Sequence, residues 1–233
     1  MTSHYYTVVS SLPHMNTNFK IQDTPISRLQ LEKRLKLLPL EKYTVVFTVE
    51  YLVWTSWFMP HQPVSDLRRA FQKLMATESA FLREMLLWFF DLRSVFAALR
   101  IRNEKKELPA NPHEYWISQW SHKLIRHWDE PDFGLKAIYP WLPKIAQDIV
   151  QKDTVAVEQF LLSYIWKYLS LRETGHYFDF EAIIIYLLRW NVIHYWSQFN
   201  EENALNCLNK LASLLLDKEL TQKIILNDKG SRS

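Results

Sequence analysis

His176 and Asp179 stand three residues apart, on either side of Tyr177-Phe178, at what reads as the entry to a helix. An imidazole and a carboxylate at that spacing could share a proton and act as an acid/base pair. Asp179 also occupies a helix N-cap position, and capping is the commoner role for an aspartate there. His122 and His127 are five residues apart, about 140° around a helix, so they do not present two metal ligands on one face. The carboxylates Asp129, Glu130 and Asp132 cluster in one segment, but their spacing matches no calcium loop. Cys207 falls on a predicted helix with no histidine near it in sequence, which reads as a small buried hydrophobe. Neither HExxH nor GxSxG occurs, and a single cysteine rules out CxxC. These absences lead to the expectation of a non-catalytic chain with no cofactor and no metal.

The stretch 88–106 (WFFDLRSVFAALRIRNEKK) carries the most information. Asp91 and Arg93 interrupt an otherwise apolar helix, where an unpaired charge would be costly to bury. Asp91 is therefore expected to be partly buried and paired with a base, Arg93 or Arg100 being nearest in sequence. Arg100, Arg102, Lys105 and Lys106 follow within two turns. They could compensate the helix dipole, or dock onto an acidic partner surface.

Elements must hold these groups in place. Of the 233 residues, 48% are apolar and 15% aromatic, ample for a core. Only Gly134, Gly175 and Gly230 are glycine, which argues against tight hairpins, doubly wound sheets and glycine-rich phosphate loops. The net charge of +3 is too mild to imply nucleic acid or an anionic membrane. The single cysteine fits a reducing compartment. The N-terminus lacks the basic region of a signal peptide. The richest apolar stretch, 182–199, is broken by Arg189, Asn191, His194 and Gln198, so no transmembrane helix is expected.

The predicted fold is all-α and multi-helix, with 4–12 able to form a short extended segment because it is rich in β-branched and aromatic residues. Thr24-Pro25 marks a helix start, carrying Leu31, Leu35 and Leu38 up to Pro39. Helices are then predicted over 41–58, from Ser65 to about 75, and over 78–103, the last with Leu82, Met85, Leu86, Phe89, Phe90, Phe96 and Ala97 buried. Asn111-Pro112 with Glu114 signals another start, for a helix bearing Trp116, Trp120, Leu124 and Trp128 at fourfold spacing. Residues 129–143 read as an ordered, irregular connection. Helices follow over 144–151, over 154–172 with Asp153 as cap and Gly175 as terminator, and over 180–199 and 201–217 capped by Asp179 and Asn200. One domain over 1–233 is expected. The polar run 103–111 could divide it into lobes 1–103 and 112–220 sharing a core, and 221–233 is expected to be a flexible tail.

A set of short segments in fixed order carries a family resemblance: Tyr5-Tyr6 leading to Ser11-Leu12-Pro13; Pro25-Ile26-Ser27; Phe90-Asp91-Leu92-Arg93 with Ala97-Ala98-Leu99-Arg100; Glu130-Pro131-Asp132-Phe133-Gly134-Leu135 with Pro140-Trp141-Leu142-Pro143; and Gly175-His176-Tyr177-Phe178-Asp179-Phe180-Glu181-Ala182. In these the chain resembles a bacterial family of formerly unassigned proteins associated with V/A-type ATPases, thought to take the place of the funnel-like socket of the stalk. The resemblance implies an all-helical, non-catalytic component that couples the central stalk to the membrane ring. It implies a cytoplasmic location, peripheral to the inner membrane through partner subunits, with no cofactor, no nucleic acid and no direct membrane insertion. Two other readings stay open: a free helical regulatory adaptor, and an enzyme with an unfamiliar helical site near His176 and Asp179.

Overall fold

Ser27 caps the helix that buries Leu31 and Leu35. Its hydroxyl accepts from the Gln30 N–H while the Gln30 side chain accepts from the Ser27 N–H, a reciprocal capping box. The helix starts at Arg28, three residues beyond Pro25, because the cap that satisfies orphan N–H groups is Ser27 and not Thr24. The computed structural model describes residues 2–21, 23–58, 64–105, 107–110, 112 and 116–199. The predicted helix 201–217, its cap Asn200, Cys207 and the tail 221–233 lie outside them.

The described elements are helical throughout, with no strand among them. They are α1 (Thr2–Ser11), α2 (Arg28–Leu35), α3 (Leu40–Glu50), α4 (Val64–Thr77), α5 (Ala80–Lys105), α6 (Ser121–Arg126), α7 (Leu142–Val150), α8 (Thr154–Arg172) and α9 (180–199). α3 runs on through a π-helical segment (Tyr51–Thr55) into a last turn (Ser56–Phe58). The all-α fold class is therefore that of the sequence reading.

The extended segment expected at 4–12 is instead helical, as α1. Val8 is fully buried, Ser11 bonds back to the Val8 carbonyl, and the Tyr5 ring lies 5.9 Å from that of Phe180. Strand propensity amounts to a few tenths of a kcal/mol per residue, whereas burying one valine side chain stabilises by about 1.5–3 kcal/mol, so packing decides.

α5 and α9 form the centre. On α5, Leu82, Met85, Leu86, Phe89, Phe90, Val95 and Phe96 are buried, all but Val95 as predicted, and Ala97 is half-buried. α9 is buried on nearly every side, through Ile183, Ile184, Leu187, Leu188, Trp190, Val192 and Ile193. It joins early and late parts of the sequence: the Trp190 Nε1–H donates to the Ile26 carbonyl, and Asn191 donates to Glu50. Buried residues on both sides of 103–111 form one core cluster.

The helix predicted to carry Trp116 through Trp128 is broken. Residues 116–120 are not helical, α6 covers only Ser121–Arg126, and Trp128 lies in a turn. The Gln119 N–H donates to Asp91 instead of a helical carbonyl. Trp116 and Trp128 meet by chain reversal, their rings 5.9 Å apart and stacked. Its proposed cap, Asn111, and Glu114 lie outside the described residues.

Candidate functional site

The corner between α8 and α9 brings the predicted pair together. α8 begins with the Asp153 carboxylate accepting from the Ala156 N–H. It ends at Arg172, and Gly175 follows with φ +95°, a conformation that costs glycine little. Asp179 Oδ1 then accepts from the Ala182 N–H and caps α9. Its other oxygen, Oδ2, lies 2.6 Å from His176 Nδ1. A carboxylate only accepts, so Nδ1 is the donor in this pair. The imidazole rests against the Phe81 ring at 4.4 Å. Asp179 is thus both cap and imidazole orienter.

Glu181 joins this corner. His176, Asp179 and Glu181 each offer one ligand atom, and these lie within 4.8 Å of one another. Such a set could hold a divalent cation. In the structure these groups are engaged otherwise: Ser79 donates to Glu181 Oε1, and Asp179 serves His176 and Ala182. The grouping escaped the spacing argument because its three members sit around a corner, where helical periodicity does not apply.

Beside His176 opens a cavity of about 290 Å³ whose lining includes Leu12, His14, Glu173, Tyr177, Tyr186 and Arg189. Outside it, the corner presents aromatic surface. Tyr6, Tyr177 and Phe178 are 57%, 66% and 52% exposed, and the Tyr6 and Phe178 rings lie 4.9 Å apart.

Asp91 is buried as expected, at 2% exposure, but its partners are not Arg93 or Arg100. Its Oδ1 accepts from the Ser118 hydroxyl and the Gln119 N–H, and its Oδ2 from the Gln119 side-chain amide. Burial raises its pKa above the ordinary carboxylate range, and these hydrogen bonds oppose the rise. Arg93 turns the other way. Its Nη1 donates to the Ser56 hydroxyl and its Nη2 to the Ser56 carbonyl, just past the π-helical segment. Neutral donors replace the expected base because 118–119 reach Asp91 from another part of the chain.

The basic end of α5 is not one free surface. Arg102 donates to the carbonyls of Trp128, Glu130 and Pro131, and its guanidinium lies 4.2 Å from the Phe133 ring centre. It clamps the acidic turn that holds Asp129, Glu130 and Asp132. Glu130 meets His127, and Asp132 accepts from the Gly134 N–H, so two of these carboxylates serve the loop itself. Arg100 is half-exposed and lies 3.6 Å from Glu158. The Lys105 and Lys106 side chains lie outside the described residues.

A half-buried ionic network centred on the buried Glu50 went unseen in the sequence. Arg28 makes a bidentate pair with Glu50 and also reaches Glu32. Asn191 completes the Glu50 shell. The Glu50 hydrogen bond, the largest influence, raises the already high pKa of Arg28 further. The available signal was Glu50 set between Val49 and Tyr51, with Asn191 breaking the apolar run 182–199.

A family model described as "Protein of unknown function (DUF2764)" matches residues 25–218, most of the chain. This chain belongs to that family. No curated protein and no solved structure matches it. The family match begins before α2 and runs past α9, so it takes in α5, the α8–α9 corner and the Asp91 and Arg93 anchors.

Proposed function

We propose that this chain is a non-catalytic subunit of a V/A-type rotary ATPase that couples the central stalk to the membrane ring by packing against them. One observation carries this reading. The first and last segments of the resemblance, Tyr5-Tyr6 and Gly175 to Ala182, meet in space and build the exposed Tyr6, Tyr177 and Phe178 surface. Neighbouring exposed aromatics suit a protein partner, since tyrosine and tryptophan dominate interface hot spots and large rings bury much apolar area. The helical architecture is in keeping with a stalk socket. No helix among the described residues is long and apolar enough to cross a membrane, so attachment to the ring would run through partner subunits on the cytoplasmic side of the inner membrane.

The basic end of α5 plays a smaller part than the sequence suggests, because Arg102 is committed to the 128–131 carbonyls. Arg100, half-exposed and only loosely paired with Glu158 at 3.6 Å, could still help to steer an acidic partner. The test is co-purification of the tagged chain from its native host, with partners identified by mass spectrometry. ATPase subunits are expected in stoichiometric amounts. Recovery with an unrelated regulatory complex would favour a free adaptor instead. The enzyme reading draws on the His176–Asp179 pair beside a cavity. It would be favoured if His176→Ala abolished a turnover while leaving partner recovery unchanged.

A further inference from the structure

The charges around Tyr6, Tyr177 and Phe178 narrow what can sit on that surface. α1, which supplies Tyr6, contains no lysine, arginine, aspartate or glutamate. Residues 173–181, which supply Tyr177 and Phe178, contain the carboxylates Glu173, Asp179 and Glu181 and no lysine or arginine. The two segments together are aromatic and acidic.

The bases that meet this corner leave that character at the solvent side. Glu173 pairs with Arg189, but the Glu173 side chain is 51% exposed and that of Arg189 only 7%, so the base lies beneath the acid. The Asp179 side chain is 40% exposed and its partner is an imidazole. Glu181 accepts from the neutral Ser79 hydroxyl. Arg172 meets Glu84 and Lys42 meets Glu78, so each brings an acid of its own. Lys42 also places its Nζ 4.7 Å from the centre of the Phe180 ring, so one ring of this corner already holds a cation against it.

We infer that this surface seats a basic segment of the partner, with an arginine or lysine lying over the exposed rings and its charge turned towards Glu173, Asp179 and Glu181. The partner's identity rests on the stalk reading, whereas the chemistry of its segment rests on this surface. A ring face attracts a cation, and the neighbouring carboxylates steer it and fix its orientation. Arginine suits the arrangement best, because its planar group can stack on a ring while its N–H groups reach a carboxylate. Its aliphatic stem covers apolar surface on the way. An acidic segment would meet like charge at the rim, and a wholly apolar one would bury carboxylates without a partner.

The experiment places a photo-crosslinking benzoylphenylalanine at position 177 of the full chain in its native host, which leaves the Tyr6–Phe178 ring pair in place. Mass spectrometry then identifies the captured peptide. A segment of net positive charge from an ATPase subunit is expected. A neutral or acidic ATPase segment would overturn the inference and leave the stalk reading standing. A basic segment from an unrelated protein would do the reverse, and no captured peptide would overturn both. Glu173→Gln combined with Glu181→Gln keeps side-chain shape and hydrogen bonding but removes two charges. It should lower the crosslinking yield about tenfold at low ionic strength and less at high, with the thermal midpoint close to the parent's. Loss of Glu173 or Glu181 from a merely structural role would not change the salt dependence. An unchanged yield and salt dependence would mean that the carboxylates take no part, and the inference would fall.

Discussion

Asp91 ties the middle of α5 to residues 118–119, 27 and 28 positions along the chain. Asp91→Ala would leave the Ser118 hydroxyl and two Gln119 donors without their acceptor. A loss of roughly 3 kcal/mol is expected, read from the denaturation midpoint. Its pH dependence runs opposite to that of a salt-bridged carboxylate. Burial raises the folded-state pKa, so the folded chain binds this proton more tightly than the unfolded chain does. The associated stability is full below the ordinary carboxylate range and is lost as pH rises through the raised value. The stability of the parent relative to Asp91→Asn should therefore fall as pH increases from about 4. Parallel pH profiles would show that Asp91 is not the group responsible. That Asp91 is buried was legible, because Phe90 and Leu92 flank it. Its partners were not, since nothing local marks Ser118 or Gln119. Arg102 makes the same point. As an exposed terminal charge its removal would be nearly neutral, but as a clamp on three carbonyls Arg102→Ser should cost roughly 2 kcal/mol. Arg100→Ser, at a half-exposed pair, should cost about 1 kcal/mol or less. Equal midpoints for the two variants would remove the clamp from the account.

At the level of elements, the caps read from sequence at α8 and α9 are those found. Asp153 opens α8, Asp179 opens α9, and Gly175 turns the corner between them. Capping is settled within four residues, so local sequence suffices. At α2 the cap is Ser27, three residues past the expected Thr24, a local miss; the other failures lie where distant contacts decide. α1 is helical because Val8 and Tyr5 pack, and the 116–128 segment breaks because Asp91 takes the Gln119 N–H. The π-helical step after Glu50 was equally hidden, as Arg93 meets Ser56 from across the core. The glycines allow a graded test. A Cβ at Gly175 meets nothing within 4 Å, so Gly175→Ala should cost only the backbone strain, roughly 1 kcal/mol. At Gly134, φ is +65° and a Cβ would lie 3.2 Å from the His127 ring. Gly134→Ala should therefore lower the thermal midpoint more than Gly175→Ala does. The reverse order would show that the His127 ring moves aside freely.

On the scale of the whole molecule, α9 joins the start of the chain to its later helices and places two distant aromatic segments on one surface. The sequence showed these segments separately, and only the fold makes them neighbours. The central claim is that this surface engages a rotary-ATPase partner. The most direct measurement replaces Tyr6, Tyr177 and Phe178 together with serine in the native host and quantifies how much of the chain sediments with the assembled ATPase. All three side chains are more than half exposed, so the thermal midpoint of the purified variant should stay close to that of the parent. Loss of most of the ATPase-associated fraction, with folding intact, is the result predicted. An undiminished fraction, or no ATPase association even for the parent chain, would contradict the account.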